Sequence, residues 1–464
     1  MNTFRRSRKK RAVVLLWLAE FLLLALAVVL AAKVRLLDDH GGFADFMASP
    51  WLHVLAVPAL VTTSMAAFGL YEFSLRHTRV DFLKHLVLSF VFSGVALAVL
   101  YQLYTDAGMG WPIPVLALAF GLVGIACFRP IWRRMFQGDL FKRRIVVVGA
   151  GHHADVINQR LRRDSDRQTL TLLGFVPVPG QPSVVPENLL LPASSALSIL
   201  ANELKVDEIV VALDDRRGGL CMDEMLACAQ HGVVITDVST FFEREQGVIK
   251  TELADPSWLA FSGGFDHSLA RQVSKRIFDV VVASLLLLVM WPVMLLVAAA
   301  IWLESGRPIL YQQTRVGENG QWFDILKFRS MRVDAEKDGQ AIWCTQNDDR
   351  RTRVGEFIRT THLDELPQLF NILRGEMSFV GPRPERPQFV ATLKREVRYY
   401  DVRHCVRPGL TGLAQVRCLY GASVQDQEHR LTYDLFYVKN QSLGLDVMIM
   451  LQTVETVIFR RGSR

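Results

Sequence analysis

The sequence predicts a membrane protein in three parts. A four-helix transmembrane domain spans 1–140, an α/β Rossmann-like module 141–265, and an α+β domain 266–464, which carries a re-entrant membrane hairpin at about 277–303. Three observations lead there. Four apolar runs, each about 20 residues, fill the first part. The middle alternates strand-like and helix-like patterns. A fifth apolar run, interrupted by Trp291-Pro292, opens a charge-rich last part.

Length and composition set the bounds. A chain of 464 residues exceeds one ordinary core. Half the residues are hydrophobic and the mean hydropathy is positive, which points to membrane segments. The net charge of +7 suits a membrane surface or phosphate-bearing substrates. No zinc-finger, helix-turn-helix or RNA-binding pattern supports a nucleic-acid partner. The 6 cysteines form no C-x-x-C pair, which argues against a zinc site or disulfide framework. Reduced cytosolic thiols are the default reading.

The four runs cover roughly 12–32, 51–71, 83–104 and 111–132. The first follows R-R-S-R-K-K-R, but it is too long for a signal peptide and no small-residue cleavage site follows it. Glu20 lies inside this run, either as a functional intramembrane acid or as a helix–helix contact. Basic residues crowd the N-terminus, the second loop (Arg76, Arg79, Lys84) and the segment after the fourth run (Arg129 to Arg144). The third loop, T-D-A-G-M-G, has none. Both ends of the four-helix part are therefore expected in the cytoplasm.

In the second part, R-R-I-V-V-V-G-A-G (143–151) reads as a buried strand entering a glycine turn. Further strands are expected at 170–176, 206–213 and 233–238, with a helix around 221–230, so the sheet should be parallel and doubly wound. G-A-G-H-H-A resembles a dinucleotide fingerprint, yet the next strand ends F-V-P-V-P-G, without an acid to bind ribose. A tight strand–helix turn is the favoured reading; vestigial or regulatory nucleotide binding is the alternative.

The third part opens with K-R-I-F-D and the apolar run at about 280–302. Basic residues flank the run on both sides and Pro292 sits near its middle. A helix that enters the inner leaflet and returns is favoured. A fifth crossing is the alternative, since proline is tolerated in spanning helices. The last 20 residues read as a helix with a basic end, lying on the membrane surface or docked on the domain.

The stretch T-H-L-D-E-L-P-Q-L-F-N (361–371) places Asp364 and Glu365 side by side. Asp364 as a helix N-cap with Pro367 in the first turn is a sufficient structural explanation. The surroundings suggest chemistry as well. Arg359 precedes the pair, L-K-F-R-S-M-R presents Lys327, Arg329 and Arg332, V-G-P-R-P-E-R-P presents Arg383, and R-P-G-L-T-G adds another stiff turn. Guanidinium groups on rigid turns suit phosphate oxygens. An ionised Asp can attack phosphorus, and a neighbouring Glu can hold Mg2+.

Taken in order, K-R-I-F-D, the proline-broken hairpin, L-K-F-R-S-M, L-D-E-L-P-Q-L-F-N-I-L-R-G-E-M-S-F-V-G-P-R-P and R-P-G-L-T-G-L-A-Q-V resemble the bacterial polyprenyl-phosphate phosphoglycosyl transferases over about 272–464. The layout of the whole chain resembles the large members of that family. The segment 237–265 resembles the subgroup linked to exosortase (PEP-CTERM) exopolysaccharide loci. The resemblance implies transfer of a sugar 1-phosphate from a UDP-sugar to undecaprenyl phosphate in the bacterial inner membrane, with the catalytic domain on the cytoplasmic face. It implies Asp364 as nucleophile, Glu365 as its Mg2+-binding partner, and Arg383, Arg359, Lys327 and Arg329 as phosphate-binding or orienting groups. It implies Pro292 as the hairpin break, with Trp-Pro where some smaller members have Ser-Pro, and a homodimer is typical of large relatives. Two rivals remain. A membrane-anchored NAD(P)-dependent dehydratase or epimerase needs Tyr-x-x-x-Lys, which is absent. A non-catalytic assembly scaffold would not need the acid pair.

Overall fold

The computed structural model describes residues 2–36, 43, 46, 50–68, 70–71, 79–103, 112–136, 142–161, 170–192, 196–215, 222–266, 268–332, 350–418 and 423–458. It divides into two compact units, Met1–Phe241 and Phe242–Arg464. Arg76, the third loop and the terminal residues 459–464, used above for orientation and for the basic end, lie outside the described residues.

The first unit begins with four helices, α1 (Asn2–Arg35), α2 (Pro50–Ala67), α3 (Arg79–Leu103) and α4 (Pro112–Phe136). Val14–Arg35 and Pro112–Trp132 are long and apolar enough to cross a membrane; α2 and α3 carry the shorter apolar segments Val54–Ala66 and Phe82–Ala98. Leu24, Val28, Val61, Met65, Leu86, Phe90 and Ile125 form their shared core. Glu20 is fully buried there. It pairs with the Arg129 guanidinium, which also donates to the Leu70 carbonyl (2.7 Å), while the Tyr71 hydroxyl donates to Glu20 (2.6 Å). Of the two readings of Glu20, this geometry is the helix–helix contact. A charge in an apolar bundle is retained only when paired and hydrogen-bonded, as both are here.

The unit continues as a parallel sheet in the order β2-β1-β3-β4, from β1 (Arg143–Val148), β2 (Leu170–Val176), β3 (Glu208–Val211) and β4 (Val234–Asp237). Helices α5 (His152–Arg160), α6 (Leu197–Glu203) and α7 (Met222–Gln230) connect them, as the alternation predicts. Val146, Val148, Ile209, Leu213 and Met225 fill one side of the sheet. At the glycine turn, the Asp214 carboxylate accepts from the His152 and His153 amides, at 2.8 Å each. These are the amides a bound phosphate would use. A Cβ on Gly151 would lie 2.1 Å from an Asp214 oxygen, so the glycine admits the chain's own carboxylate.

The second unit contains α8 (Val238–Gln246) from Phe242 onward and α9 (Pro256–Phe261), followed by α10 (Leu269–Ser305), a helix of 37 residues with Pro292 inside it. An antiparallel ribbon of β5 (Leu310–Val316) and β6 (Trp322–Phe328) comes next. Then come α11 (Arg353–Thr360), α12 (Gln368–Arg374), β7 (Ser378–Val380), α13 (Pro387–Glu396), β8 (Gly409–Thr411), α14 (Leu413–Arg417), α15 (Val424–Asn440) and α16 (Leu443–Ile458). The last helix is docked: Ile449 joins Val380, Val406 and Tyr437 in a core, and Asp446 is buried against Lys275 (3.1 Å) and Tyr437 (2.7 Å).

Replacing Arg129 by Ala should leave the Glu20 carboxyl buried without its cation, costing about 3–5 kcal/mol. Thermal unfolding of the detergent-solubilised protein should show the loss, and Glu20→Leu in the same chain should recover most of it.

Candidate active site

The acid pair sits between α11 and α12. His362 follows α11 in a left-handed conformation (φ 58°), which ends the helix and redirects the chain. Leu363–Glu365 then make one 3-10 turn, and Pro367 caps α12. This corrects the expectation that Asp364 is itself the N-cap. The short turn separates it from the helix, so helix-end electrostatics do not keep it ionised.

Two side chains, one on α12 and one on α10, hold this element in place. The Asn371 carboxamide accepts from the Leu326 amide (3.0 Å) and donates to the Asp324 carbonyl (2.8 Å), acting as a surrogate strand along β6. It also donates to Glu376 (2.7 Å). Arg276, on α10, donates to the Ile372 and Leu373 carbonyls, at 2.6 Å each, and so satisfies the end of α12. The consequence is that Lys327, one residue beyond Leu326, faces the acids.

Lys327 Nζ and Arg383 Nη2 both donate to Glu365 Oε1, at 2.7 and 2.9 Å. Burial works against ionisation of Glu365, but these two cations hold its carboxyl well below the usual glutamate range. Asp364 differs. It is buried, and its carboxylate accepts no hydrogen bond among the described residues. Burial pushes its carboxyl above the usual aspartate range; Lys327 and Arg359 lower it, and the adjacent Glu365 raises it. One carboxylate is therefore fixed and charged, and its neighbour is poised and open.

Arg383 owes its position to backbone packing. The Gly381 amide donates to the Thr411 carbonyl, and the Gly409 amide to the Pro382 carbonyl, both at 2.9 Å. A Cβ on Gly381 would lie 2.3 Å from the Arg407 carbonyl oxygen, so the two Gly/Pro turns approach only as glycines. Behind them, the buried Arg403 donates to the Arg383 carbonyl (2.9 Å), to Asp434 (2.9 Å) and to the Tyr400 hydroxyl (2.7 Å). On the other side, Asp279 of α10 accepts from the Ser378 hydroxyl and the Phe379 amide, at 3.0 Å each.

The structure thus brings Asp364, Glu365, Lys327 and Arg383 together, with Arg359 near enough to act on Asp364 electrostatically. It does not bring Arg329 to the pair. The Arg329 guanidinium donates to the Ser305 and Gly306 carbonyls, at 2.8 and 2.9 Å, and fixes the C-terminal end of α10, where a cation complements the helix dipole. The sequence reading missed Asn371, Asp279, Arg276, Arg403 and Asp434. The first three lie inside the motifs quoted above, and only their buried polar character could have drawn notice.

Among the described residues no group of three or more His, Cys, Asp or Glu could hold a metal alone. The acid pair still fits Mg2+, which takes one or two carboxylates and completes its shell with substrate phosphates and water. Asp364 and the second Glu365 oxygen are the donors left open.

A buried acid pair ringed by Lys and Arg, on a unit carrying a long apolar helix, is the kind of site a membrane-associated phosphate-transferring enzyme uses. The family model for bacterial sugar transferases matches residues 270–460. The chain is 44% identical over 199 residues to a UDP-glucose:undecaprenyl-phosphate glucose-1-phosphate transferase of Caulobacter vibrioides, covering 42% of this chain and 74% of that protein. It is 37% identical over 262 residues to a UDP-N-acetylgalactosamine-undecaprenyl-phosphate N-acetylgalactosaminephosphotransferase of Aeromonas hydrophila, covering 56% of this chain and 61% of that protein. An uncharacterized sugar transferase of Haemophilus influenzae is 29% identical over 97% of this chain and 98% of its own length. The chain belongs to the bacterial sugar transferase family. It spans less than two thirds of the length of the Aeromonas relative.

The two acids should affect stability in opposite directions. The folded-state carboxyl of Glu365 is lowered, so its contribution is present above the unfolded value and is lost as pH falls. Asp364 is raised, so its ionised form costs stability at neutral pH. Glu365→Gln should destabilise the unit by about 2 kcal/mol, whereas Asp364→Asn should raise the melting temperature at pH 7.5. Thermal unfolding of both variants checks the pair of signs.

Proposed function

We propose that the chain transfers a sugar 1-phosphate from a UDP-sugar to undecaprenyl phosphate through a phospho-aspartate, initiating exopolysaccharide synthesis. The observation that carries this reading is the open, buried Asp364 carboxylate beside a Glu365 already neutralised by Lys327 and Arg383. The names of the Caulobacter and Aeromonas relatives support the donor and acceptor classes.

In the first step an ionised Asp364 oxygen attacks the phosphorus bearing the sugar. The new O–P bond forms as the bridging P–O bond breaks, and its electron pair leaves on UMP. In the second step a phosphate oxygen of the lipid attacks the same phosphorus and the carboxylate is regenerated, so no proton is gained or lost overall. Arg383 and Lys327 stabilise charge on the transferring group's oxygens. Arg359 and Lys327 favour the ionised form of Asp364 against its burial. Mg2+, held by the acid pair, would supply further charge neutralisation on the phosphates.

Our reading of the membrane placement rests on α10. Its first half is tied to the second unit through Arg276, Asp279 and Ala283, and its last turns through Val297, Ile301 and Arg329. Leu269, Val273, Ile277, Val281, Leu285, Leu288 and Leu295 remain exposed at helical spacing. α10 runs through Pro292 as one helix and is long and apolar enough to cross a membrane; attachment of both its halves to one unit favours the reading in which it enters and leaves a single leaflet. We read the four helices of the first unit as a transmembrane domain in the bacterial inner membrane, with the acid pair on the cytoplasmic side, and we extend the reading to a homodimer on the family resemblance.

Asp364→Asn should abolish UMP release from UDP-sugars in membranes containing undecaprenyl phosphate and Mg2+; full turnover would remove the phospho-aspartate step. A cysteine introduced just after residue 305 should resist an impermeant thiol reagent added outside intact cells, and efficient labelling would instead place α10 across the bilayer.

A further inference from the structure

Beyond Arg383, the chain turns along the β5–β6 ribbon and reaches a cavity. The Val316 amide donates to the Glu385 carbonyl (3.0 Å), and Arg315 donates to the Pro384 carbonyl (3.1 Å) and pairs with Glu385 (3.6 Å). The cavity, about 310 Å³, is lined by Gln313, Thr314, Trp322, Arg386, Pro387 and Gln388. That volume is at the lower end for small-molecule sites. Arg386, on the cavity, lies three positions after Arg383, on the acid pair, so their Cα atoms are at most about 10 Å apart.

We propose that this cavity is the nucleobase subsite of the donor, in which Trp322 stacks on the uracil ring and the Gln388 carboxamide reads its edge. The inference rests on the UDP-sugar reading above and names which half of the donor lies here. Three features select the base over the sugar. The indole of Trp322 is 70% exposed at the cavity wall, an apolar face of the kind on which nucleobases stack. The Gln388 carboxamide makes no hydrogen bond among the described residues, and it offers both a donor and an acceptor to a ring edge that alternates carbonyl and N–H. Finally, Arg383, Arg315 and Arg386 lie along the route from the acids to the cavity. Burial pushes the Arg315 guanidinium below its usual range, Glu385 opposes this, and repulsion from Arg383 and Arg386 adds to it. Three cations around one turn are suited to a charged linker. The nucleotide side of the donor has such a linker in its second phosphate; the sugar side carries none.

The test is calorimetric and does not depend on turnover. Full-length protein in nanodiscs, with Mg2+, is titrated with UMP, CMP and glucose 1-phosphate, for the wild type and for Trp322→Ala and Gln388→Ala. Both side chains line the cavity rim, and melting temperatures control for folding. The expected result is UMP affinity weakened about tenfold or more by Trp322→Ala, a UMP-over-CMP preference that falls with Gln388→Ala, and glucose 1-phosphate binding unchanged in both. If wild type binds UMP and both variants bind it equally well, the subsite is overturned while the donor reading stands. Selective loss of glucose 1-phosphate binding would make the cavity a sugar pocket and overturn the subsite equally. No UMP binding by wild type would bring down the donor reading itself.

Discussion

Three segments of the chain meet at one carboxylate oxygen, Glu365 Oε1. Lys327, 38 residues earlier, and Arg383, 18 residues later, both donate to it. The arrangement divides the work of two chemically similar acids. Glu365 pairs with both cations and stays charged, which leaves Asp364 buried and without a hydrogen-bond donor among the described residues. An isolated buried carboxylate would be protonated. Here Lys327 and Arg359 still act on Asp364 through space, so the group can ionise without being immobilised by hydrogen bonds. Poise of this kind costs stability, and the rest of the second unit supplies it.

The support is mostly polar and buried. Asn371 replaces a missing strand neighbour for β6, Arg276 satisfies the end of α12, Asp279 fixes the start of β7, and Arg403 holds the Arg383 carbonyl from behind. Two of these four side chains belong to α10, the apolar helix. The long apolar helix and the acid-bearing turn are therefore one mechanical piece, and a shift of α10 would be felt at the pair. In the first unit the same logic appears twice. Arg129 and Glu20 bury their charges together, and Asp214 satisfies the helix amides at a glycine turn whose sequence resembles a nucleotide site.

Much of this was legible beforehand. The apolar runs marked the helices because only long apolar segments are compatible with lipid. The β1 to β4 strands were legible as buried runs beside amphipathic helices. The acid pair and Arg383 stood out through their spacing to stiff turns. The docking of α16 was one of two readings, and the buried Asp446 decides it: a carboxylate inside a nominally apolar stripe seeks a buried partner, and Lys275 is that partner. Arg329 shows the limit. It shares a motif with Lys327, yet the direction of its side chain takes it to the end of α10.

What the sequence determined by itself was the inventory: hydrophobic periodicity fixes which segments are long apolar helices and which are strands of a sheet, and the ordered motifs fix the family. What only the tertiary structure decided was the partnership of each charge. Whether an arginine faces a carboxylate, a helix end or another arginine depends on strand register and on which backbones approach closely. Those depend on contacts between residues far apart in the chain, such as Asp279 with Ser378, 99 positions away, or Thr411 with Gly381 across two glycine turns. Local spacing carries no record of such contacts, so the sequence could place Asp364 and Glu365 side by side but could not show which of them is held by Lys327 and Arg383 and which is not.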